Sequence, residues 1–340
     1  MSPKKYAKLT VIPAVGALAL ALAGCGDPGS SGTRDADDVE GPGCEPLAGE
    51  TLVALEDDQN LQASENALAV FNADAASDEA LEAVNAVAAE LTTDDLVELN
   101  KAVVIDRETS KEAAEAFAED RKLTDGLDGG SGEVTIGHAD FAESETIAHL
   151  YRVVLSAAGF TAEVQAVGNR EAYMVALQDG DFDVMPEYAA TLTEFLNPEA
   201  GEGADEDPIA SADIEATMET LRPFADEAGV TLGEPAEASS QNAYVVTDTF
   251  AAEHDVSTLS EFGEKCSGKA TVLAGPSECE ERIYCGKGLR EVYGIDYGEF
   301  AMLGIGSDSQ RAVADGTATL GTTTTTDGVL ADDVTVDDIG

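Results

Sequence analysis

Five cysteines and three histidines are the residues of this 340-residue chain best suited to covalent or metal chemistry. Their spacing points to anchoring and cross-linking instead. Cys25 follows Leu22-Ala23-Gly24 at the end of an apolar run from Val11 to Leu22, and Lys4, Lys5 and Lys8 precede that run. A basic start, a short apolar core and small residues at the cut make residues 1–24 a secretory leader, too short to cross a bilayer with ease. The residues ahead of Cys25 resemble a bacterial lipobox, in which the thiol is diacylated and becomes the first residue of the mature protein. Each buried methylene adds ~0.8 kcal/mol, so two chains hold stably. Cys44, Cys266, Cys279 and Cys285 are an even set in an exported chain, which favours disulfides. Four cysteines permit three pairings, and the one expected is a short Cys279 to Cys285 loop with a Cys44 to Cys266 staple. No CxxC spacing occurs and His138, His149 and His254 lie elsewhere, so neither a metal site nor a cofactor is expected. GxSxG, Walker and HExxH motifs are missing too, and the carboxylates are too many for a catalytic pair to stand out.

Those carboxylates set the charge. Against 18 basic residues stand 68 acidic ones, a net −50, and removing the lysine-bearing leader only deepens it. Nucleic acid is excluded as a partner. The acidic surface either draws in cationic or zwitterionic solutes or simply solvates the protein in salty surroundings. Residues 25–44 are glycine, serine, proline and acids with almost no apolar side chain, a flexible tether spanning on the order of 25 Å. The remainder suits one large or two medium domains. With 44% apolar residues, 5% aromatics and no Trp, its core is mostly Ala, Val and Leu.

The elements that would position a site change character along the chain. Residues 77–91 place Leu81, Val84, Ala88 and Leu91 on one helical face. Thr93 is expected to cap a second helix carrying Leu96 and Leu99, and a third starts at Ser110. After the turn-rich linker 124–132, Glu133 to Gly137 reads as a strand, Glu143 to Ala158 as a helix stopped by Gly159, and Ala162 to Val167 as a strand. A helix through Tyr173 and Leu177 then leads to the strand-like Phe182 to Met185 and to Pro186-Glu187-Tyr188, placed where open α/β sheets bind ligands. A helix marked by Ile214, Met218 and Leu221 follows, then strands at Val230 to Leu232, Ala243 to Val246 and Lys269 to Ala274. The alternation predicts an α/β chain of two lobes with a cleft between them, the larger over 45–238 and the smaller over 239–328, with 329–340 a tail near the hinge.

GHADFAESETIAHLY (137–151), ALQDGDFDVMPEYAATL (176–192), QNAYVV (241–246), GPSECEERIYCGKGLREVYG (275–294) and TTTTTDG (322–328) resemble, in order and spacing, the glycine betaine, choline and carnitine binding proteins of osmoprotectant ABC importers. That resemblance implies the type II periplasmic-binding-protein fold. It also exposes an unusual order. Segments that follow TDG in the family stand first here: TLVALEDDQN (51–60), DLVELNKAV (95–103) and EAFAEDRKL (115–123). The chain therefore resembles a circular permutant in which 124–132 joins the old ends and 133–238 forms the rest of the larger lobe. On this reading the segment around Leu52 to Leu55 is a strand in the same sheet as Val134 to Ile136.

The resemblance also implies a site. Tyr188 and Tyr244 would offer aromatic faces to a quaternary ammonium, which has no hydrogen to donate. Arg282 would pair with a ligand carboxylate, Thr191 would add a hydroxyl, and Ser144 and Asn242 are further candidates. Glu65 and Thr324 stand where the family carries aromatic cage residues, a departure that moves specificity away from plain glycine betaine. The implied partners are a small-molecule solute, an ABC permease with its ATPase, and the membrane through the lipid on Cys25, on the extracytoplasmic face. The alternative function is a surface sensor that keeps the binding lobes without transport.

Overall fold

The computed structural model describes residues 39–168, 170–197, 208–277, 279–331 and 334–335, so the leader and Cys25 lie outside the described residues. The chain opens with strands β1 (Leu52–Leu55) and β2 (Ala67–Asn72) and helices α1 (Asp78–Ala88), α2 (Thr93–Asn100) and α3 (Ser110–Arg121). An alternating stretch follows: β3 (Glu133–Ala139), α4 (Ala142–Ala158), β4 (Thr161–Gly168), α5 (Arg170–Asp179) and β5 (Val184–Tyr188). Helices α6 (Ala189–Leu196) and α7 (Ile214–Ala228) lead to β6 (Val230–Leu232). Then come β7 (Asn242–Thr247), α8 (Asp248–His254), α9 (Leu259–Cys266), β8 (Gly268–Gly275), α10 (Gly286–Tyr293), β9 (Tyr297–Met302), α11 (Ser307–Ala314) and β10 (Leu320–Thr324).

These strands form two five-stranded sheets of one plan. The first runs β4-β3-β5-β2-β6 and the second, read from the matching edge, β9-β8-β10-β7-β1. In each, three parallel strands are followed by a fourth that runs against them and a fifth that pairs antiparallel with the fourth. Helices cover both faces of the first sheet, so Ala67 to Phe71 of β2 are buried on both sides. Helix ends follow from local chemistry. Thr92 and Asp95, like Thr109 and Glu112, form capping boxes, and α4 stops at Gly159, whose φ of 117° suits a residue without Cβ.

Several expectations change. Leu52–Leu55 is a strand, but it pairs antiparallel with β7 in the second sheet, not with β3. The strand of this region that joins the first sheet is β2, between β5 and β6. The 45–238 lobe boundary therefore fails at its start, because β1 belongs with the strands after 239. The cap of α2 is Thr92, with Thr93 already helical. The buried face of α1 is Ala80, Ala83, Val84 and Val87. Of the expected face, Val84 and Leu91 are buried, while Leu81 and Ala88 pack half-buried at its margin and the alanines sit deepest. The end of the tether is docked: Val39 is buried, and the Gly41 and Pro42 carbonyls accept from Lys269 and Ala270 backbone N–H groups. The approach is close enough that a Cβ on Gly268 would lie 2.4 Å from the Gly43 nitrogen. Cys44 meets Cys266 at an S–S distance of 2.07 Å, which ties this strap to the second sheet.

Two segments cross between the sheets, 56–66 and 233–241, and they run side by side. Asn66 and Ser239 bridge antiparallel, Ser240 N–H donates to the Glu65 carbonyl at 2.9 Å, and Gln241 Nε2 donates to the Ala63 carbonyl at 2.7 Å. This paired crossing is the hinge between the lobes.

Candidate ligand-binding site

The residues that follow the C-terminal ends of parallel strands β3, β5, β8 and β10 converge on one cleft. Phe141 and Glu143 come after β3, Tyr188 ends β5, residues 281–284 follow β8, and Thr324 and Asp327 follow the parallel pairing of β10. With Glu65 from the hinge they line a cavity of about 970 Å³ between the two sheets. Strand ends of one direction expose loops and helix starts there, which is why open α/β sheets place ligands at that edge.

The first-sheet side of the cleft is a connected network. Tyr188 Oη donates to Glu143, whose other carboxylate oxygen accepts from Asn100 Nδ2 at 2.6 Å. Asn100 Nδ2 also reaches the Thr326 carbonyl, at 2.7 Å, and so links this wall to the second lobe. Burial, then the charge of Glu143 and the hydrogen bond to it, push the Tyr188 phenol well above its usual range, so it stays a neutral donor. Its ring stacks on Phe141, with centroids 6.4 Å apart. Phe141 itself is 48% exposed, an aromatic face left toward the opening.

The second-sheet side rests on a turn. Cys279 and Cys285 meet at 1.95 Å, and of the five residues between them Glu281, Arg282, Ile283 and Tyr284 line the cavity. Gly288 lets this loop pack tightly, since a Cβ there would lie 1.9 Å from the Ile283 carbonyl. Burial first, then Glu194 and Glu65, raise the Tyr284 phenol above its usual range. Asp327 closes the turn after β10 by accepting from Gln310 Nε2, Thr323 Oγ1 and the Val329 N–H, at 2.7, 2.9 and 3.1 Å.

A family model described as the substrate-binding domain of ABC-type glycine betaine transport systems matches residues 47–120 and 132–336. The chain belongs to this family. It is thus a substrate-binding protein of an ABC importer for osmoprotectants, a class that works outside the cytoplasm and is not a class of enzymes. No curated protein matched the chain. Among the described residues no helix is long and apolar enough to cross a membrane.

In this binding protein the structure gathers Tyr188, Thr191, Asn242, Arg282, Glu65 and Thr324 at the cavity. Two expected site residues lie outside it. Tyr244 is 1% exposed in the second-sheet core, and its hydroxyl donates to the Tyr284 carbonyl at 3.1 Å. Ser144 is buried with its hydroxyl accepting from the Ala139 N–H at 3.0 Å. Tyr244 instead supports Tyr284, whose side chain lines the cavity. Glu65 neither pairs with Arg282 nor stands open: it accepts from both the backbone N–H and the hydroxyl of Thr191, at the start of α6. Arg282 is exposed, and among the described residues it makes no ion pair.

Sequence reasoning missed Tyr284, Phe141 and Glu143. The signal for Tyr284 was its place inside the Cys279 to Cys285 loop, where a tight ring turns side chains outward. That for Phe141 was its place just past β3. As for metals, ligand atoms of Cys44, His254 and Cys266 lie within 4.8 Å of one another, but the two sulfurs are joined and offer no thiolate.

Proposed function

We propose that this protein captures a quaternary-ammonium or related osmoprotectant between its lobes and delivers it to an ABC permease and its ATPase. The observation that carries the reading is the aromatic cleft: Tyr188 stacked on Phe141 from one lobe, Tyr284 from the other, around a cavity lined by Glu65, Glu143, Glu194, Glu281 and Asp327 against Arg107 and Arg282. Aromatic faces and surplus negative charge suit a cation that cannot donate hydrogen bonds. Arg282 takes the carboxylate of a zwitterionic ligand. Calorimetric titration tests this: Tyr188→Ala and Tyr284→Ala weaken binding five- to thirtyfold, the equivalent of ~1–2 kcal/mol per aromatic face. Arg282→Ala weakens a betaine more than choline. Wild-type affinity in all three variants would refute the site.

Two further readings belong to this proposal. Cys25 is lipidated and holds the protein on the outer face, so Cys25→Ser releases it from membranes with binding intact; retention at the wild-type level would contradict the anchor. The chain is also a circular permutant. In support, the family match falls in two segments separated by 121–131, and Leu52, Val329 and Val334 share one core cluster, so β1 starts where the TDG turn ends.

A further inference from the structure

We propose that Glu143 is the specificity-determining charge of the cleft, favouring a net cation over a zwitterion and holding the Tyr188 ring against it. The inference rests on the reading of the cleft as a quaternary-ammonium site. Glu143 is 7% exposed and lines the cavity. A buried carboxylate is costly unless a cation or enough donors compensate it. Here both of its oxygens accept, from Tyr188 Oη and Asn100 Nδ2, and both donors are neutral. Among the described residues Glu143 makes no ion pair. The missing counter-charge is the ligand's own.

The geometry tells how that charge acts. A carboxylate accepting from a phenol increases electron density on the ring, which strengthens its hold on a cation over its face. The same bond fixes the ring's orientation, and Asn100 secures the carboxylate from behind while reaching the Thr326 carbonyl of the other lobe. Glu143 therefore acts partly by its field and partly as a positioning residue for Tyr188. A ligand carboxylate entering the cleft meets the same field with the opposite sign, which separates choline-like cations from betaines.

The substitution Glu143→Gln removes the charge while keeping size, and the Tyr188 hydroxyl can turn its proton to accept from the new amide. Calorimetry on the full mature chain compares choline, glycine betaine and 3,3-dimethylbutan-1-ol, the neutral carbon isostere of choline. Glu143→Gln is expected to weaken choline about tenfold or more, glycine betaine by less, and the isostere not at all. Equal losses for choline and the isostere would show that Glu143 supports shape alone and would overturn the inference, as would unchanged choline binding. Tyr188→Phe, which keeps the ring but removes the donor, gives a second arm, with choline weakened and the isostere not. If the wild type bound no trimethylammonium ligand, the cleft reading itself would fall and the inference with it. A ligand-free readout separates the two failures. With no Trp in the chain, tyrosine emission is directly visible, and a phenol bonded to a carboxylate is quenched. Glu143→Gln raises emission, and Tyr188→Phe abolishes that rise. No change would show that the Glu143–Tyr188 pair does not form in solution.

Discussion

The two walls of the cleft are built differently. On the first-sheet side, Tyr188, Glu143 and Asn100 bond to one another, Glu65 bonds to Thr191, and each sits at a strand end, a helix terminus or the hinge. On the second-sheet side, Glu281, Arg282, Ile283 and Tyr284 ride on a single turn, Arg282 is exposed, and Ile305 is 48% exposed. Under the proposed function, the first wall is organised before ligand arrives and the second is completed by it. Contacts to both walls are made together only when the lobes close, so a ligand shifts the equilibrium by its differential affinity for the closed state. The contrast lies in what each wall leaves open: the first exposes the Phe141 ring, and the second, with Asp327 already bonded, exposes Arg282 and Ile305.

The two bridges offer the strongest ways to break this contrast. Replacing Cys44 and Cys266 with Ser releases the strap and a loop of 222 residues in sequence. It should cost ~2–5 kcal/mol in denaturant unfolding yet leave solute affinity near wild type, because neither cysteine lines the cavity. A large loss of affinity would show that the strap shapes the cleft. Replacing Cys279 and Cys285 with Ser opens a far shorter loop and should cost about 2 kcal/mol of stability. Its main effect should be on binding, read as faster dissociation in stopped-flow, since the wall that carries Tyr284 is loosened. Unchanged dissociation would mean that Gly288 packing, not the bridge, holds this wall.

A finer comparison sets Tyr244 against Tyr188. Tyr244→Phe removes one hydrogen bond to the Tyr284 carbonyl and should cost about 1 kcal/mol of stability, with affinity down only a few-fold. Tyr188→Phe should weaken choline further, and the reverse order of affinities would place Tyr244 at the ligand. Alkaline unfolding tests the buried phenols of both lobes together. Burial leads the causes that raise the phenols of Tyr151, Tyr188, Tyr244, Tyr284 and Tyr293 above their ordinary value. Above about pH 10 the unfolded chain releases protons that the folded one keeps, so stability present below that pH is lost as pH rises. A urea midpoint unchanged between pH 8 and 11 would contradict this.

The βαβ stretch from Glu133 to Tyr188 was legible because its period changes from two to 3.6 at clear turn residues, and the structure keeps those elements within a residue or two. Strand partners were not. Leu52–Leu55 reads as a strand from its apolar run, but nothing local says that its neighbour is β7, since pairing is set by contacts nearly 200 residues away. Strand β2 escaped notice because ALAVFN is buried on both faces and shows no alternation. The site was half legible for a related reason. Tyr188 ends a recognisable strand, whereas Tyr244 sits within β7, where five consecutive residues, Ala243 to Thr247, are buried and the pattern cannot tell the core from the cleft. Glu143 looked like one acid among 68. Only its burial beside Tyr188 and Asn100 sets it apart.

The central claim is that the two walls grip one trimethylammonium solute, and a thermal-shift screen of the mature protein against choline, betaines, carnitine, ectoine and amino acids tests it most directly. A ligand at 100 times its Kd stabilises the folded state by ~2.7 kcal/mol, a shift easily seen. The account predicts a rise in Tm with choline and its relatives that is largely lost in Tyr188→Ala. A rise with an amino acid alone, or one that Tyr188→Ala leaves intact, would contradict it.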